Sequence, residues 1–438
     1  MPKFNEGTSI PSNINKREDV TTNYEGGIAF KGEPKTELTL RVLTWLVGEP
    51  KYYGDEKTET SDIEALISQV ATEDPEYLMK LASYARNEMY LRSAPIFLLV
   101  EGAKYDSVKP YIREYTPEII KRADELSETL ALFIAKNGQI GKSGKASIPN
   151  SLKQGLADTF HNFNEYDFAK YKMGDKEVKL SDVIRLVHPK PENEEEEWIF
   201  KGVREANLPI PETWETRISG EGSTKEAWES IIPKLGYMAM LRNLRNFLKV
   251  KANIDFVCKK LTDPKEVKNS KQFPFRFLSA SKALGDFDDG GDPFTKQKLM
   301  DVVSVALELS VQNIPKWKGR TFVACDNSGS MSNSLSEKSS IQRIEVGNIM
   351  GALAQKISDE WIASVFGSRF TTVELDSRSS VMDNAKKLIE TDVGHATNAY
   401  LALQYLRTHK ISADRILIFS DMQCYSTSEG YISLSSMS

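Results

Sequence analysis

Between Glu33 and Val311 the apolar positions recur at helical spacing, and the alternation expected of half-buried strands is missing. In Leu38-x-x-Arg41-Val42-Leu43-x-Trp45-Leu46 they fall on one helix face, and Gly48 and Pro50 stop the run. Asp74-Pro75 reads as an N-cap followed by proline in the first turn. The helix it opens is predicted to bury Tyr77, Leu78, Leu81, Tyr84 and Ala85. Further helices are predicted at Pro95 to Val100, Pro117 to Ala135, Val183 to Val187, Leu235 to Val250, Ile254 to Leu261 and Lys296 to Leu309. Many helices joined by short polar turns predict stacked antiparallel pairs. At about 40–47 residues per pair, six or seven pairs of HEAT type fit this stretch, with an irregular all-α domain as the alternative.

The pattern changes near Lys316. Thr321 to Cys325 is wholly apolar, as in a strand buried on both faces of a parallel sheet, and Asp326-Asn327-Ser328-Gly329-Ser330 follows it. A strand ending in D-x-S-x-S sets one carboxylate and two hydroxyls on the loop at its carboxyl end, where open α/β sheets bind ligands. Such hard oxygen donors suit a hard divalent cation such as Mg²⁺. A second apolar strand, Asp414 to Asp421, also ends in a carboxylate, and the turn Gly394-His395-Ala396-Thr397-Asn398 adds a hydroxyl. The predicted organisation is a polar arm over residues 1–30, a helical-repeat module over 31–315 and an α/β domain over 316–438.

Composition narrows this reading. A chain of 438 residues with 40% hydrophobic and 27% charged residues has room for two or three ordinary cores. It has no apolar run of the ~20 residues a membrane span needs, and no secretory h-region at its start. Cys258, Cys325 and Cys424 are few and unpaired in spacing, which fits a reducing, cytoplasmic setting. The net charge of −5 hides strong segregation. Pro233 to Lys282 holds twelve Lys/Arg against three Asp/Glu, and Ile134 to Lys190 ten against six. Pro191 to Glu229 holds four against eleven, and Lys316 to the end balances thirteen against thirteen. Basic surfaces of this kind point to a nucleic-acid partner.

Nucleotide and catalytic motifs are absent. Gly141-Lys142-Ser143 resembles the end of a P-loop, but Lys136 stands where its first glycine belongs. Lys136, Lys142 and Lys145 read instead as a flexible basic loop, with Lys142 and Lys145 as candidate RNA contacts. His161, His188, His395 and His409 are not paired at metal-ligand spacing, and the acidic run Glu194 to Glu197 reads as solvated surface.

The D-x-S-x-S loop with its two later segments resembles the metal-ion-dependent adhesion site of a von Willebrand factor A domain. The resemblance implies a ligand set of Asp326, Ser328, Ser330, Thr397 and Asp421. It also implies one coordination position left open for an acidic group on a partner. Upstream, Ile148-Pro149-Asn150-Ser151-Leu152-Lys153, Lys170-Tyr171-Lys172 and Leu186-Val187-His188-Pro189-Lys190 occur in order. Met240-Leu241-Arg242-Asn243-Leu244-Arg245-Asn246, Phe273-Pro274-Phe275-Arg276 and Lys318-Gly319-Arg320 follow them. Together they resemble the TROVE module joined to an A domain, the layout of the Ro autoantigen family and its prokaryotic relatives, over roughly residues 24 to 421.

That resemblance implies a non-enzymatic, monomeric protein with a helical ring that the A domain closes. It implies binding of small noncoding Y-like RNAs, capture of single-stranded 3′ ends of misfolded or decaying RNA, and a role in RNA quality control. A ribonuclease or another protein docking on the A domain belongs to the same picture. Lys170, Lys172, Arg185 and His188 match the family's basic stretch around the ring's hole, and Arg242 and Arg245 its L-R-N-L-R segment. Each has a plainer reading. Lys170 and Lys172 are also ordinary solvated charges, His188 before Pro189 is also a helix C-cap, and Arg242 and Arg245 are also structural partners between repeats. A rival function is a protein-interaction scaffold working through the metal site. The chain departs from the resemblance after Asp421, where only the Ser-rich Met422 to Ser438 follow, as in a fragment, a frame-shifted version or a shortened A domain.

Overall fold

The computed structural model describes residues 20–22, 28–30, 32–44, 56–137, 147–171, 177–209, 211–272, 274–287, 292–312, 314–334 and 341–421. By packing they form two units. One comprises the described residues of Lys31–Thr213, and the other those from Trp214 onward together with the hairpin near the start of the chain. Among the described residues no helix is long and apolar enough to cross a membrane.

The first unit is helical throughout. Helix Pro34–Thr44 leads the array. Helix Pro75–Asn87 starts as predicted, with Asp74 accepting the Tyr77 N–H and Pro75 at its first turn. It buries Leu78, Met79, Leu81, Ala82 and Ala85, but Tyr84 is 47% exposed. The buried face is narrower than predicted, and Tyr77 and Tyr84, two turns apart, lie along one edge of it; the Tyr77 hydroxyl lies 2.7 Å from Thr39 Oγ1. The predicted helix Pro117 to Ala135 is two elements, Lys109–Ile119 and Ala123–Asn137. Ile120 is extended, and the Glu125 carboxylate accepts the backbone N–H groups of Lys121 and Arg122, starting a new helix there.

Packing follows two rows. Helix Pro75–Asn87 lies on Lys109–Ile119, which lies on Asn150–Thr159. In the other row Glu56–Glu73 lies on Ser93–Gly102, Ser93–Gly102 on Ala123–Asn137, and Ala123–Asn137 on Leu180–Val187. Each repeat buries its apolar side only against its neighbours, the behaviour of a solenoid. One core runs through Ile63, Leu78, Phe97, Leu126, Leu156 and Val183.

The second unit begins with helices whose core (Trp228, Phe247, Phe277, Leu307) continues into the strands that follow. Helix Pro293–Val311 packs on Arg343–Ile357 and Val381–Ile389, so the division by packing falls at 213/214 while the sequence pattern changes near 316. The predicted helix Leu235 to Val250 breaks at Asn243 into Tyr237–Arg242 and Leu244–Lys249. Buried Asn243 donates its amide to the Ala239 carbonyl and accepts from Asn246, and such local bonds compete with the helical ladder.

Among the described residues, six strands complete the structure. β1 (Val20–Thr22) and β2 (Ile28–Phe30) pair antiparallel, within the segment read from sequence as a polar arm. β3 (Trp317–Asp326), β4 (Ser358–Phe366), β5 (Phe370–Thr372) and β6 (Arg415–Phe419) form one sheet in the order β5-β4-β3-β6. β3 is parallel to β4 and β6, and β5 antiparallel to β4. Alternate residues of β3 face opposite layers. Val323 and Cys325 pack with Ile349 and Leu353 of helix Arg343–Ile357, and Phe322 and Ala324 with Ala402 and Leu406 of helix Tyr400–Thr408. This double covering explains why β3 is apolar without alternation. Gly319 has φ +82°, and a Cβ there would sit 2.2 Å from Asp414 Oδ2, which accepts the Arg320 N–H at 2.7 Å. That close approach holds the start of β6 beside β3.

Candidate functional site

β3 and β6 lie side by side, and the chain leaves β3 for β4 on the opposite flank. Their carboxyl ends therefore form a topological switch point, where a ligand crevice is expected. Asp326 closes β3 and is wholly shielded from solvent, and Ser328 and Thr397 are nearly so. The Ser328 N–H donates to Asp326 Oδ1 at 2.9 Å, and Ser420 Oγ donates to Asp326 Oδ2 at 2.6 Å. Ser328 Oγ and Ser330 Oγ lie 3.3 Å apart. The turn carrying Thr397 is tied to this loop by the Gly329 N–H, which donates to the His395 carbonyl at 3.0 Å. Gly394 enters that turn at φ +76°, where a Cβ would meet Ser368 Oγ at 2.7 Å. Asn327 anchors the loop from behind, donating to the Leu388 carbonyl and accepting from Asn348.

The electrostatics are those of a site short of positive charge. Burial pushes the Asp326 carboxyl above the usual carboxylate range; the bonds from Ser328 and Ser420 oppose this, and the nearby Asp421 adds to it. Asp421 pairs through Oδ2 with Arg343 Nη1 at 2.9 Å, its side chain 5% exposed. Its other oxygen is buried without a hydrogen-bond partner among the described residues. Two buried carboxylates, one of them with an orphaned oxygen, beside two serine hydroxyls and a buried threonine make an oxygen-donor set that fits a hard divalent cation. The five residues named from sequence are thus brought to one end of the sheet. Ser420 and Arg343 were missed. Ser420 adjoins Asp421 and was open to notice, whereas Arg343 lies 78 residues from its partner.

The predicted RNA contacts fall in separate places. Lys170 ends helix Glu165–Lys170, exposed, with Nζ 5.5 Å from the Tyr166 ring centroid and 5.7 Å from that of Tyr171. Arg185 is exposed but donates to the Arg204 carbonyl at the end of helix Glu194–Glu205, at 2.8 Å. His188 is the C-cap of helix Leu180–Val187, at φ +53°, which is the plainer of its two readings. Lys142, Lys145 and Lys172 lie outside the described residues. Arg242 and Arg245 are exposed and line one cleft together with Arg276, whose part in it the sequence did not single out. One further grouping was not foreseen. His161, Glu192 and Glu196 bring three ligand-type atoms within 4.8 Å of one another. Its geometry serves the fold: His161 Nδ1 lies 3.0 Å from the Glu196 carboxylate, which also accepts the Glu192 N–H.

A helical-repeat array followed by a doubly covered parallel sheet, with an oxygen-rich site at its switch point, defines a helical-repeat protein bearing an A-type domain. The TROVE domain profile matches residues 46–207 and again 200–359, and the Ro60 vWA domain profile matches 320–432. The chain belongs to the TROVE family and carries a vWA domain of the Ro60 kind. The crystal structure of the Deinococcus radiodurans Ro (RSR) protein shares its fold, with a TM-score of 0.67 at 16% identity over 90% of this chain and 88% of that one. Telomerase protein component 1 of Mus musculus is 24% identical over 299 residues, 50% of this chain and 11% of the relative. The Rattus norvegicus protein of that name is 24% identical over 306 residues, 51% of this chain and 12% of the relative. The aligned part of the chain thus spans about a tenth of those curated relatives.

Proposed function

We propose that this protein is a non-enzymatic, monomeric, cytoplasmic RNA-binding protein. It takes small noncoding Y-like RNAs and the single-stranded 3′ ends of misfolded or decaying RNA, in RNA quality control or processing. Membership of the TROVE family supports this, as does the segregated basic charge. The observation that carries it is the state of the candidate cations. Arg242 and Arg245 stand exposed with no ion-pair partner among the described residues, in a chain with more acids than bases. Lys170 is held over two tyrosine rings, where a base would meet charge and π-face together. The test is binding of a structured RNA with and without a 3′ single-stranded tail across a salt titration. Tail-dependent binding that falls steeply with salt, and weakens in Lys170→Ala/Lys172→Ala, is expected; no binding of either RNA at moderate salt would sink the proposal.

A second reading attaches to the vWA domain, and the orphaned Asp421 oxygen favours it. Asp326, Ser328, Ser330, Thr397 and Asp421 would hold Mg²⁺ or another divalent cation. When bound, the cation supplies a Lewis-acid position for an acidic group on a protein ligand, a ribonuclease among the candidates. The chain's own contribution is to bury and fix the oxygens and to keep Arg343 on one face of Asp421. Mg²⁺ titration by calorimetry, against Asp326→Ala, tests the ion site itself. Absence of binding in the unaltered chain would remove this reading and leave the RNA reading standing.

A further inference from the structure

His161, Glu192 and Glu196 are brought together from two places in the chain. His161 stands in the 3-10 turn Phe160–Asn162, Glu192 just before helix Glu194–Glu205, and Glu196 in its first turn. One ligand-type atom from each lies within 4.8 Å of the other two. His161 Nδ1 is 3.0 Å from both oxygens of Glu196. Around a tetrahedral ion with bonds of about 2.0–2.2 Å, neighbouring ligand atoms are about 3.3–3.6 Å apart. Small side-chain movements reach that spacing from the distances seen.

The charge balance points the same way. No lysine or arginine pairs with Glu192 or Glu196 among the described residues, and the helix opens with four consecutive glutamates. His161, the partner Glu196 has there, is cationic only when protonated. The donors are also held in place. The Glu192 N–H donates to Glu196 Oε2 at 2.8 Å, and buried Phe200 lies against the His161 ring, with centroids 5.7 Å apart. The bonds that join these elements thus also orient three donors toward one point, as outer-shell contacts do around a metal.

We propose that His161, Glu192 and Glu196 bind one Zn²⁺, with water completing the coordination. An imidazole beside two carboxylates suits Zn²⁺, whereas Mg²⁺ prefers oxygen alone. The ion fastens the turn Phe160–Asn162 to the start of helix Glu194–Glu205. The site shares no residue with the oxygen-donor set of the vWA domain and rests on neither functional reading above.

The test is calorimetric titration of Zn²⁺ into the chelator-treated full chain carrying Asp326→Ala, which removes a ligand of the vWA set. That parent is compared with the same chain carrying in addition His161→Ala or Glu192→Gln. Glu192 is exposed, and it bonds Glu196 through its backbone, so Glu192→Gln should keep the fold. The parent should take up one Zn²⁺. His161→Ala should weaken binding by more than about 100-fold, since losing an outer-shell partner alone costs about 10–100-fold. Zn²⁺ should raise the Tm of the parent and not that of His161→Ala. Co²⁺ in its place should show no thiolate charge-transfer band. No uptake by the parent overturns the proposal, as does uptake that both added changes leave intact. A thiolate band would assign the ion to a cysteine and overturn it too. If His161→Ala does not fold, the Glu192→Gln titration decides.

Discussion

Two carboxylates, each wholly shielded from solvent, sit in the two units of this protein under opposite conditions. Glu125 lies in the helical array with Arg86 Nη2 at 2.8 Å from one of its oxygens and Arg92 Nε at 3.3 Å, and it accepts two backbone N–H groups. Asp326, at the end of β3, has a serine hydroxyl and one backbone N–H, a second carboxylate nearby, and no described lysine or arginine of its own. Burial pushes both carboxyls up from their ordinary values. Glu125 is answered by cations the chain supplies, so its charge joins helices Pro75–Asn87 and Ala123–Asn137. Asp326 is left for something else to answer. A buried charge paired within the chain is structural; one left unpaired among the described residues marks a candidate site.

The sharpest way to break this contrast is Glu125→Ala. It strands Arg86, whose side chain is only 12% exposed, and should cost about 3–5 kcal/mol in urea unfolding. Asp326 should behave in the opposite sense. Without a divalent cation, Asp326→Asn leaves stability unchanged or raised. With Mg²⁺ at one hundred times its Kd, the unaltered chain gains about 2.7 kcal/mol and the variant nothing. A melt in which Mg²⁺ shifts neither protein would count against the contrast. Its pH dependence has a definite sign. Between the ordinary carboxylate value and the raised one, the folded state holds a proton the unfolded state has released, so Asp326 lowers stability as pH rises through that window. Mg²⁺ selects the ionised form, so the gain in Tm from Mg²⁺ should grow with pH there.

Smaller changes probe the supports of each charge. Gly351→Ala would place a Cβ 2.4 Å from Cys325 Sγ, directly behind Asp326, and should cost about 1–3 kcal/mol by overpacking. In the helical unit Asp74→Ala removes an N-cap and an ion pair with Lys35, at about 1 kcal/mol by thermal melt. Gly351→Ala should also weaken Mg²⁺ binding by displacing the end of β3, whereas Asp74→Ala should leave it unchanged.

Much of this was legible along the chain. The D-x-S-x-S loop, the second strand's carboxylate and the Thr397 turn sit beside apolar stretches that could be read directly. The N-cap at Asp74 needed only a short-range rule. What could not be read were decisions made by distant partners. Glu125 ends one predicted helix because its side chain turns back on Lys121 and Arg122 while two arginines hold it in place. Asn243 breaks another because burial leaves its amide only backbone and Asn246 to bond. Tyr84 carries an apolar ring at helical spacing, yet the packed face is too narrow to include it.

By itself the sequence determined a helical array followed by an α/β domain, and a set of oxygen donors on the loops at one end of its sheet. Apolar periodicity and strand-end polarity are local quantities, written in consecutive residues. Only the tertiary structure decided which charges are answered. It gave Glu125 its arginines, left Asp326 without a lysine or arginine among the described residues, turned Arg185 onto the end of a neighbouring helix, and gathered Arg242, Arg245 and Arg276 around one cleft. Those outcomes depend on distances between residues far apart in the chain, and electrostatics in a low-dielectric interior turns on such distances.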